Sequence, residues 1–192
     1  HSFPTRRSSD LVVYVHGGGW RSGAKEDCPI LPLVRVGYVV ASVDYRLTPQ
    51  APFPANVQDI KGAIRFLRAE GAMHGIESQR IAIIGSSAGG HLAALVGVSA
   101  GVAELEGNVG GHAGVPSDVQ AVVSFFGASN LETILEQSTD FGLSVRVPAL
   151  QLLLGGSPRE KPALARLASP VAHLDAKDPP ILLVHGDADP QM

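Results

Sequence analysis

The most informative stretch of the sequence is RIAIIGSSAGGHLAALVGVSA, residues 80–100. Its apolar run 81–84 predicts a short buried strand, and residues 88–100 predict a helix. The turn between them reads GSSAG and fits the pattern G-x-S-x-G, centred on Ser87 rather than on Ser86. In that context the pattern predicts a strained turn that presents a serine at a helix N-terminus. Ser87 is therefore the candidate nucleophile, and the alternative is a tight glycine turn with an ordinary serine.

Similar apolar runs lie on both sides of this stretch. They predict four more buried strands, over residues 11–15, 37–43, 119–126 and 181–185. Apolar residues at helical spacing predict a helix that ends near Glu70 and is capped by Asn56 or Asp59. A short Pro-interrupted helix is expected over 27–35. Strands that alternate with helices predict the α/β class, with a mainly parallel, doubly wound sheet and helices on both faces.

A glycine cluster follows the first predicted strand, at the end where parallel sheets place their sites. It reads HGGGW, residues 16–20. Backbone N–H groups here can stabilise the negative oxygen that forms in acyl transfer. The candidate donors are those of Gly17, Gly18, Gly19 and Ala88. We expect His16 to hold the loop through hydrogen bonds, and Trp20 either to wall the acyl pocket or to pack beneath the loop.

The candidate acid follows the last predicted strand, in HGDADP, residues 185–190. A carboxylate at a strand end can orient and stabilise an imidazolium, and Asp187 and Asp189 both qualify by position. The two carboxylates do not indicate a metal site, because too few further ligands lie nearby. Phe126, at the end of the fourth predicted strand, is a candidate wall of the same pocket.

Composition narrows the class of protein. The chain has 192 residues, which fits one domain, and a formal net charge of −3, which does not indicate a nucleic-acid partner. Its apolar runs are too short to span a membrane. The single cysteine, Cys28, excludes an intrachain disulfide framework and a cysteine-based zinc site. Compartment and oligomeric state stay open.

The first ten residues, HSFPTRRSSD, are polar and basic and lack an apolar period. We expect a non-native or disordered leader over 1–10, either a translated sequencing adapter or a natural tail, followed by one domain over 11–192.

Three motifs in this order, HGGGW, GSSAGG and HGDADP, resemble those of the α/β-hydrolase fold. The resemblance is to the hormone-sensitive-lipase-like and feruloyl-esterase-like (BD-FAE) branch of esterases. The stretches VASVDYRLTPQAPFPANVQDIKGAIRFL and SPVAHLDAKDPPILLVHGDAD are similar to that branch as well. The resemblance implies a three-layer α/β-hydrolase fold, incomplete at both ends, and a serine carboxylesterase that acts on small ester substrates without a cofactor.

The resemblance also implies roles for individual residues. Ser87 attacks the ester carbonyl, and Asp189 rather than Asp187 is the acid of a Ser-Asp-His triad. The branch's structural Asp-Tyr-Arg falls on Asp44, Tyr45 and Arg46, which would tie the loop beneath the oxyanion strand. One departure is Gln50, where these proteins often carry glutamate.

The triad histidine is not identified among the seven histidines of the sequence. In the implied chain order it follows the acid, and His91 is expected to be buried or bonded to the backbone. We therefore expect the base roughly 30 to 40 residues beyond Asp189 in a longer parent protein, and this chain alone to be inactive.

Other functions remain open. A non-catalytic ligand-binding protein on the same fold, as in plant gibberellin receptors, and a peptidase or amidase are the alternatives. Residues 101–117 and 129–161, the latter with amphipathic pieces near 131–136 and 148–154, could roof the pocket as a lid or merely connect elements. Nothing in the sequence selects a particular ester.

Overall fold

A computed structural model describes residues 10–48 and 50–191. The expected leader, apart from Asp10, lies outside the described residues. The strands are β1 (Asp10–Val15), β2 (Val39–Val43), β3 (Glu77–Ser86), β4 (Ala121–Phe125) and β5 (Ile181–Val184). The α-helices are α1 (Ala55–Glu70), α2 (Ala88–Val98), α3 (Ala103–Glu106), α4 (Asp140–Leu154) and α5 (Pro162–Leu167). Short 3₁₀ helices cover Leu31–Val36, Gly71–His74 and Pro170–Ala172.

The five strands form one sheet in the order β2-β1-β3-β4-β5, and every neighbouring pair is parallel. The predicted α/β class with a mainly parallel sheet is confirmed. The chain steps from β1 to β2 in one direction and then crosses back to β3, β4 and β5 in the other. This reversal makes the carboxyl ends of β1 and β3 a topological switch point, where open α/β sheets bind ligands.

The core lies around β1, β3 and the helices α1 and α2, which pack against these strands. Residues 11–15 of β1 are all buried, which explains why this strand is a continuous apolar run rather than an alternating one. Helix α2 is buried along its whole length, so its sequence shows little amphipathic period. Because α2 is enclosed, the turn that precedes it is held firmly between the sheet and the core.

Several sequence-based boundaries need correction. Asp10, expected in the leader, is the first residue of β1 and forms an ion pair with Arg80. The helix expected over 27–35 is a 3₁₀ helix over Leu31–Val36, with a proline in its first turn. Neither Asn56 nor Asp59 caps α1, whose N-cap is Pro54. Asn56 is already the second residue of the helix, and the Asp59 carboxylate binds Arg46.

The segment after β4 also differs from the expectation. Residues 131–136 form turns, and residues 148–154 are the second half of α4, which runs through Pro148. Thr139 caps α4, since its Oγ1 accepts a hydrogen bond of 3.0 Å from the Gly142 N–H.

Among the described residues, no helix is both long enough and apolar enough to cross a membrane.

Candidate active site

The turn between β3 and α2 has a strained backbone at Ser87, with φ 54° and ψ −121°. A left-handed φ at a residue with a side chain is unfavourable and persists only where the surroundings enforce it. Here a hydrogen bond of 2.9 Å from the Ser87 N–H to the Phe125 carbonyl and the buried helix beyond hold the turn. A Cβ on Gly85 would overlap the Gly89 carbonyl, and one on Gly89 would overlap the Val15 carbonyl. Only glycine fits at either flank.

The two serines of the turn point to different places. Ser87 is exposed and lines a cavity of about 230 Å³ above the sheet. The Oγ of Ser86 lies 3.2 Å from the Tyr14 hydroxyl and lines a separate cavity beneath the glycine loop. Ser87, and not Ser86, therefore shares a cavity with most of the candidate site residues.

The cavity at Ser87 gathers most of the residues that the sequence singled out. Its walls include Gly18, Gly19, Trp20, Ser87, Ala88, Phe126 and Asp189. Asp187 is exposed and does not line it, so the structure separates the two candidate acids. Of the candidate donors, Gly17 does not line the cavity. It lies close to the serine turn, because a Cβ on Gly17 would stand 2.9 Å from the Ser86 carbonyl oxygen and 3.4 Å from the Ser87 Cβ.

The glycine loop leaves backbone donors free near Ser87. The Gly18 carbonyl accepts from the N–H groups of Arg21 and Ser22, both at 3.1 Å, and this turn fixes the loop. Within residues 10–48 and 50–191, the N–H groups of Gly18 and Gly19 meet no acceptor. Ala88 is the first residue of α2, where an N–H has no acceptor within the helix. Three unsatisfied donors thus border one cavity beside the serine.

His16 and Tyr45 support the glycine loop from below and outside the cavity. Their rings stack with centroids 4.4 Å apart, and the Tyr45 hydroxyl donates a hydrogen bond of 3.0 Å to the His16 carbonyl. The His16 Nδ1 lies 2.8 Å from the Gly17 carbonyl, and the ring is almost completely buried. Burial raises the pKa of Tyr45, so the hydroxyl keeps its proton for this bond.

Asp44 and Arg46 hold the neighbouring loop to other parts of the chain. Asp44 accepts from the backbone N–H of Lys25 at 2.7 Å and from its Nζ at 2.8 Å, and the hydrogen bond from that ammonium lowers the pKa of Asp44. Arg46 pairs with Asp59 through two parallel hydrogen bonds of 2.8 Å. Both residues lie outside the cavity, and their contacts are structural ones.

Trp20 lines the cavity at Ser87 and is itself almost completely buried. Its indole Nε1 donates a hydrogen bond of 3.0 Å to His91 Nδ1. The other ring nitrogen, Nε2, lies 2.7 Å from the Ala168 carbonyl and must carry the ring proton, since a carbonyl only accepts. His91 is therefore a neutral, fully buried link between the glycine loop, α2 and the segment after α5.

Burial lowers the pKa of His91 to about 4, from the 6.5 that is usual for a histidine in water. Between those two pH values the unfolded chain binds a proton at this ring and the folded chain does not, so stability falls as the pH falls. We expect His91 to account for a loss of about 3 kcal/mol in the free energy of unfolding between pH 7 and pH 4. Urea titrations across this range should show a smaller loss in His91→Gln, whose amide can replace both hydrogen bonds. An identical pH dependence in the two proteins would contradict the expectation.

Asp189 is held in a specific orientation. Its Oδ1 accepts a hydrogen bond of 2.8 Å from the Gln191 N–H, and its Oδ2 lies 2.8 Å from His185 Nε2. The bond from Gln191, with smaller contributions from His185 and Arg146, holds the pKa of Asp189 below its usual range. The carboxylate therefore stays ionised at neutral pH, as a group that stabilises an imidazolium must.

No histidine ring in the described part of the chain is hydrogen-bonded to Ser87. His91 uses both ring nitrogens elsewhere, His173 bonds to the Leu167 carbonyl, and His112 lies beside Glu70. His185 contacts Asp189 but lines a neighbouring cavity that does not include Ser87.

The sequence did not reveal one wall of the cavity, which comes from α4 and the turns before it. This wall consists of Ile134, Val145, Arg146 and Ala149, and the remaining lining residues are Arg21, Ser22, Ala128 and Gln191. Only the amphipathic pieces at 131–136 and 148–154 hinted at it. Residues 101–117 do not line this cavity; Glu106 is tied there to Lys61 at 2.7 Å and to Arg65 at 3.2 Å.

A parallel sheet that carries a strained serine turn and a glycine loop at its switch point defines the α/β-hydrolase fold. The BD-FAE family model matches residues 3–192, and the chain belongs to this family. The match is consistent with the motifs around Gly18 and Ser87, because both motifs lie within it.

Individual proteins show the same likeness. Esterase LipQ of Mycobacterium tuberculosis (strain ATCC 25618 / H37Rv) is 30% identical over 190 residues, which cover 97% of this chain and 43% of LipQ. A solved structure described as a truncated form of a carbohydrate esterase from gut microbiota is 33% identical, with a TM-score of 0.85, over 95% of this chain and 68% of that one. A bifunctional GH43-CE protein of Bacteroides eggerthii gives 33% identity and a TM-score of 0.85, over 97% of this chain and 26% of that one. The chain thus spans less than half the length of the curated relative LipQ.

Proposed function

We propose that this chain carries the nucleophile, the oxyanion hole and the acid of a carboxylic ester hydrolase. The observation that carries the proposal is the strained turn at Ser87, which opens into the same cavity as Asp189 and the free N–H groups of the glycine loop. A left-handed φ of 54° at a serine is stored strain, and strain of this kind is typical of functional sites.

The reaction proceeds in two acyl transfers. The Ser87 Oγ attacks the ester carbonyl carbon while a histidine base takes its proton, and the carbonyl oxygen becomes an oxyanion. The N–H groups of Gly18, Gly19 and Ala88 stabilise that charge, and Asp189 stabilises the imidazolium. The alcohol leaves with the proton from the histidine, and the acyl group remains on Ser87. Water then attacks the acyl-enzyme by the same route, releases the carboxylic acid and restores the serine.

We place the histidine base outside this sequence, in the parent protein, by which we mean the full product of the gene that encodes this chain. Support comes from the described histidines, because the ring nearest the nucleophile along α2, His91, is neutral and fully bonded. Support also comes from the relatives, of which the chain covers less than half.

The parent gene is expected to encode a histidine roughly 30 to 40 residues beyond Asp189, in a loop after one more strand. Sequencing through the natural 3′ end of the gene decides this. A stop codon directly after Met192 would contradict the placement and would favour a non-catalytic ligand-binding protein on the same fold.

The proposed activity is tested by offering the parent protein three acyl donors with the same acyl group: p-nitrophenyl acetate, acetylated xylose and acetyl p-nitroanilide. The sugar ester is included because one of the structural neighbours is described as a carbohydrate esterase. We expect turnover of at least one of the two esters, well above that of the anilide. Faster cleavage of the anilide would indicate an amidase or peptidase instead. No turnover of any donor would contradict the proposal.

A further inference from the structure

The first turns of α4 and its N-cap residue contact the loop that contains Asp189. The Oγ1 of Thr139 donates a hydrogen bond of 2.6 Å to the Pro190 carbonyl, and Arg146 Nη1 donates one of 2.7 Å to the Gln191 carbonyl. Between them, Gly142 lies so close that a Cβ there would overlap the Gln191 carbonyl oxygen. Helix α4 is about 45 residues away from this loop in the sequence, so these contacts are purely tertiary.

Arg146 is connected to the carboxylate of Asp189 through a single residue. Arg146 binds the Gln191 carbonyl, and the N–H of the same Gln191 donates a hydrogen bond of 2.8 Å to Asp189 Oδ1. The guanidinium is itself held, because the same Nη1 lies 2.7 Å from the Ser138 Oγ, which donates to the Ile134 carbonyl at 2.6 Å. Hydrogen bonds, together with the backbone of Gln191, thus connect the turns before α4 with the Asp189 carboxylate.

We propose that Arg146 is a positioning residue: by fixing the Gln191 backbone it holds Asp189 in place for the histidine, and it makes ester hydrolysis depend on α4. This inference rests on the proposed function. A displacement of about 1 Å in a supporting group can lower a rate about a hundredfold, so a contact outside the chemistry can have a large effect.

The position of Arg146 allows a second reading, which the test must separate. Arg146 also lines the cavity, between Val145 and Ala149 on α4, and could bind the substrate directly. Loss of a substrate contact made equally in the ground and transition states raises KM and leaves kcat unchanged, whereas a misplaced acid lowers kcat.

The decisive variants are Arg146→Met and Arg146→Lys, measured in the parent protein. Methionine keeps much of the apolar stem and has no donor. Both hydrogen bonds of Arg146 leave from one nitrogen, and the lysine ammonium, on a stem one bond shorter, has enough N–H groups to serve both acceptors after a small shift. We expect Arg146→Met to lower kcat about tenfold to a hundredfold with KM changed less than about threefold, and Arg146→Lys to recover most of kcat.

The matched control is Arg159→Met, which removes an arginine of the same segment that is 87% exposed and pairs with Glu136. It should leave kcat and KM unchanged. A second variant, Ser138→Ala, removes the support of the guanidinium and should lower kcat about threefold to tenfold, so the inference remains testable if Arg146→Met does not fold.

Two results would overturn the inference: a normal kcat in Arg146→Met, whether or not KM rises, or a loss in Arg146→Lys equal to that in Arg146→Met. If Ser138→Ala must stand in for a misfolded Arg146→Met, a normal kcat there overturns it too. Ser87→Ala, run in parallel, separates this failure from failure of the proposed function. Activity that survives Ser87→Ala refutes the esterase mechanism, whereas its loss together with a normal Arg146→Met refutes only the role of Arg146.

Discussion

Ser87→Ala in the parent protein is expected to lower kcat for ester hydrolysis by about 10⁴ to 10⁶, while KM changes little. In the proposed mechanism the alanine removes the only atom that bonds to the acyl group and leaves the N–H groups of Gly18, Gly19 and Ala88 in place. The remaining rate then reflects binding and oxyanion stabilisation alone. Initial rates with p-nitrophenyl acetate, with protein freshly purified from a strain that lacks other esterases, measure the loss.

The matched control is Ser86→Ala, one residue earlier in the same turn. Ser86 contacts the Tyr14 hydroxyl and faces another cavity, so its loss should change kcat less than about threefold. A larger loss in Ser86→Ala than in Ser87→Ala would show that the nucleophile has been assigned to the wrong serine.

Gly89→Ala is expected to destabilise the fold as well as to lower the rate. The added Cβ would overlap the Val15 carbonyl at the end of β1 and crowd the His16 carbonyl, which follows it. Both contacts are backbone atoms of a buried strand end, so no side chain can move aside. We expect a loss of about 3 kcal/mol or more in the free energy of unfolding, or failure to fold. Urea unfolding monitored by the fluorescence of Trp20 measures it.

Gly114→Ala is the control for that substitution. No atom lies within 4 Å of the position its Cβ would take, and its backbone is not left-handed. The free energy of unfolding should change by less than about 1 kcal/mol. Equal stability of Gly89→Ala and Gly114→Ala would contradict the claim that the serine turn requires close backbone approach at Gly89.

The strands and the serine turn could be predicted because their signals are local. A buried parallel strand is a short apolar run, as in residues 11–15 and 81–84, and the turn at Ser87 needs small residues at fixed positions. The preference for Asp189 over Asp187 came from the resemblance, and the structure places Asp189 at the cavity for a reason that the sequence does not contain. Its orientation depends on Gln191 and on contacts with α4.

What the sequence did not predict depends on contacts between distant segments. Helix α4 contains Pro148, which interrupts the helical pattern, so the sequence indicated only its second half, residues 148–154. Arg146 has no local signature, because its partners include Gln191, 45 residues further along the chain. The capping prediction for α1 was wrong for the same kind of reason, since a tertiary ion pair with Arg46 engages the Asp59 carboxylate.

Whether Ser87 is the nucleophile is tested by covalent labelling of the parent protein with a fluorophosphonate, followed by peptide mapping that separates Ser86 from Ser87. The serine oxygen forms a bond to phosphorus as fluoride leaves, so an activated nucleophile is marked at its own atom. We predict one phosphonyl group per chain, on Ser87, appearing in step with the loss of ester hydrolysis and absent from Ser87→Ala. A label on any other residue, or complete loss of activity with Ser87 unmodified, would contradict the assignment of Ser87 as the nucleophile.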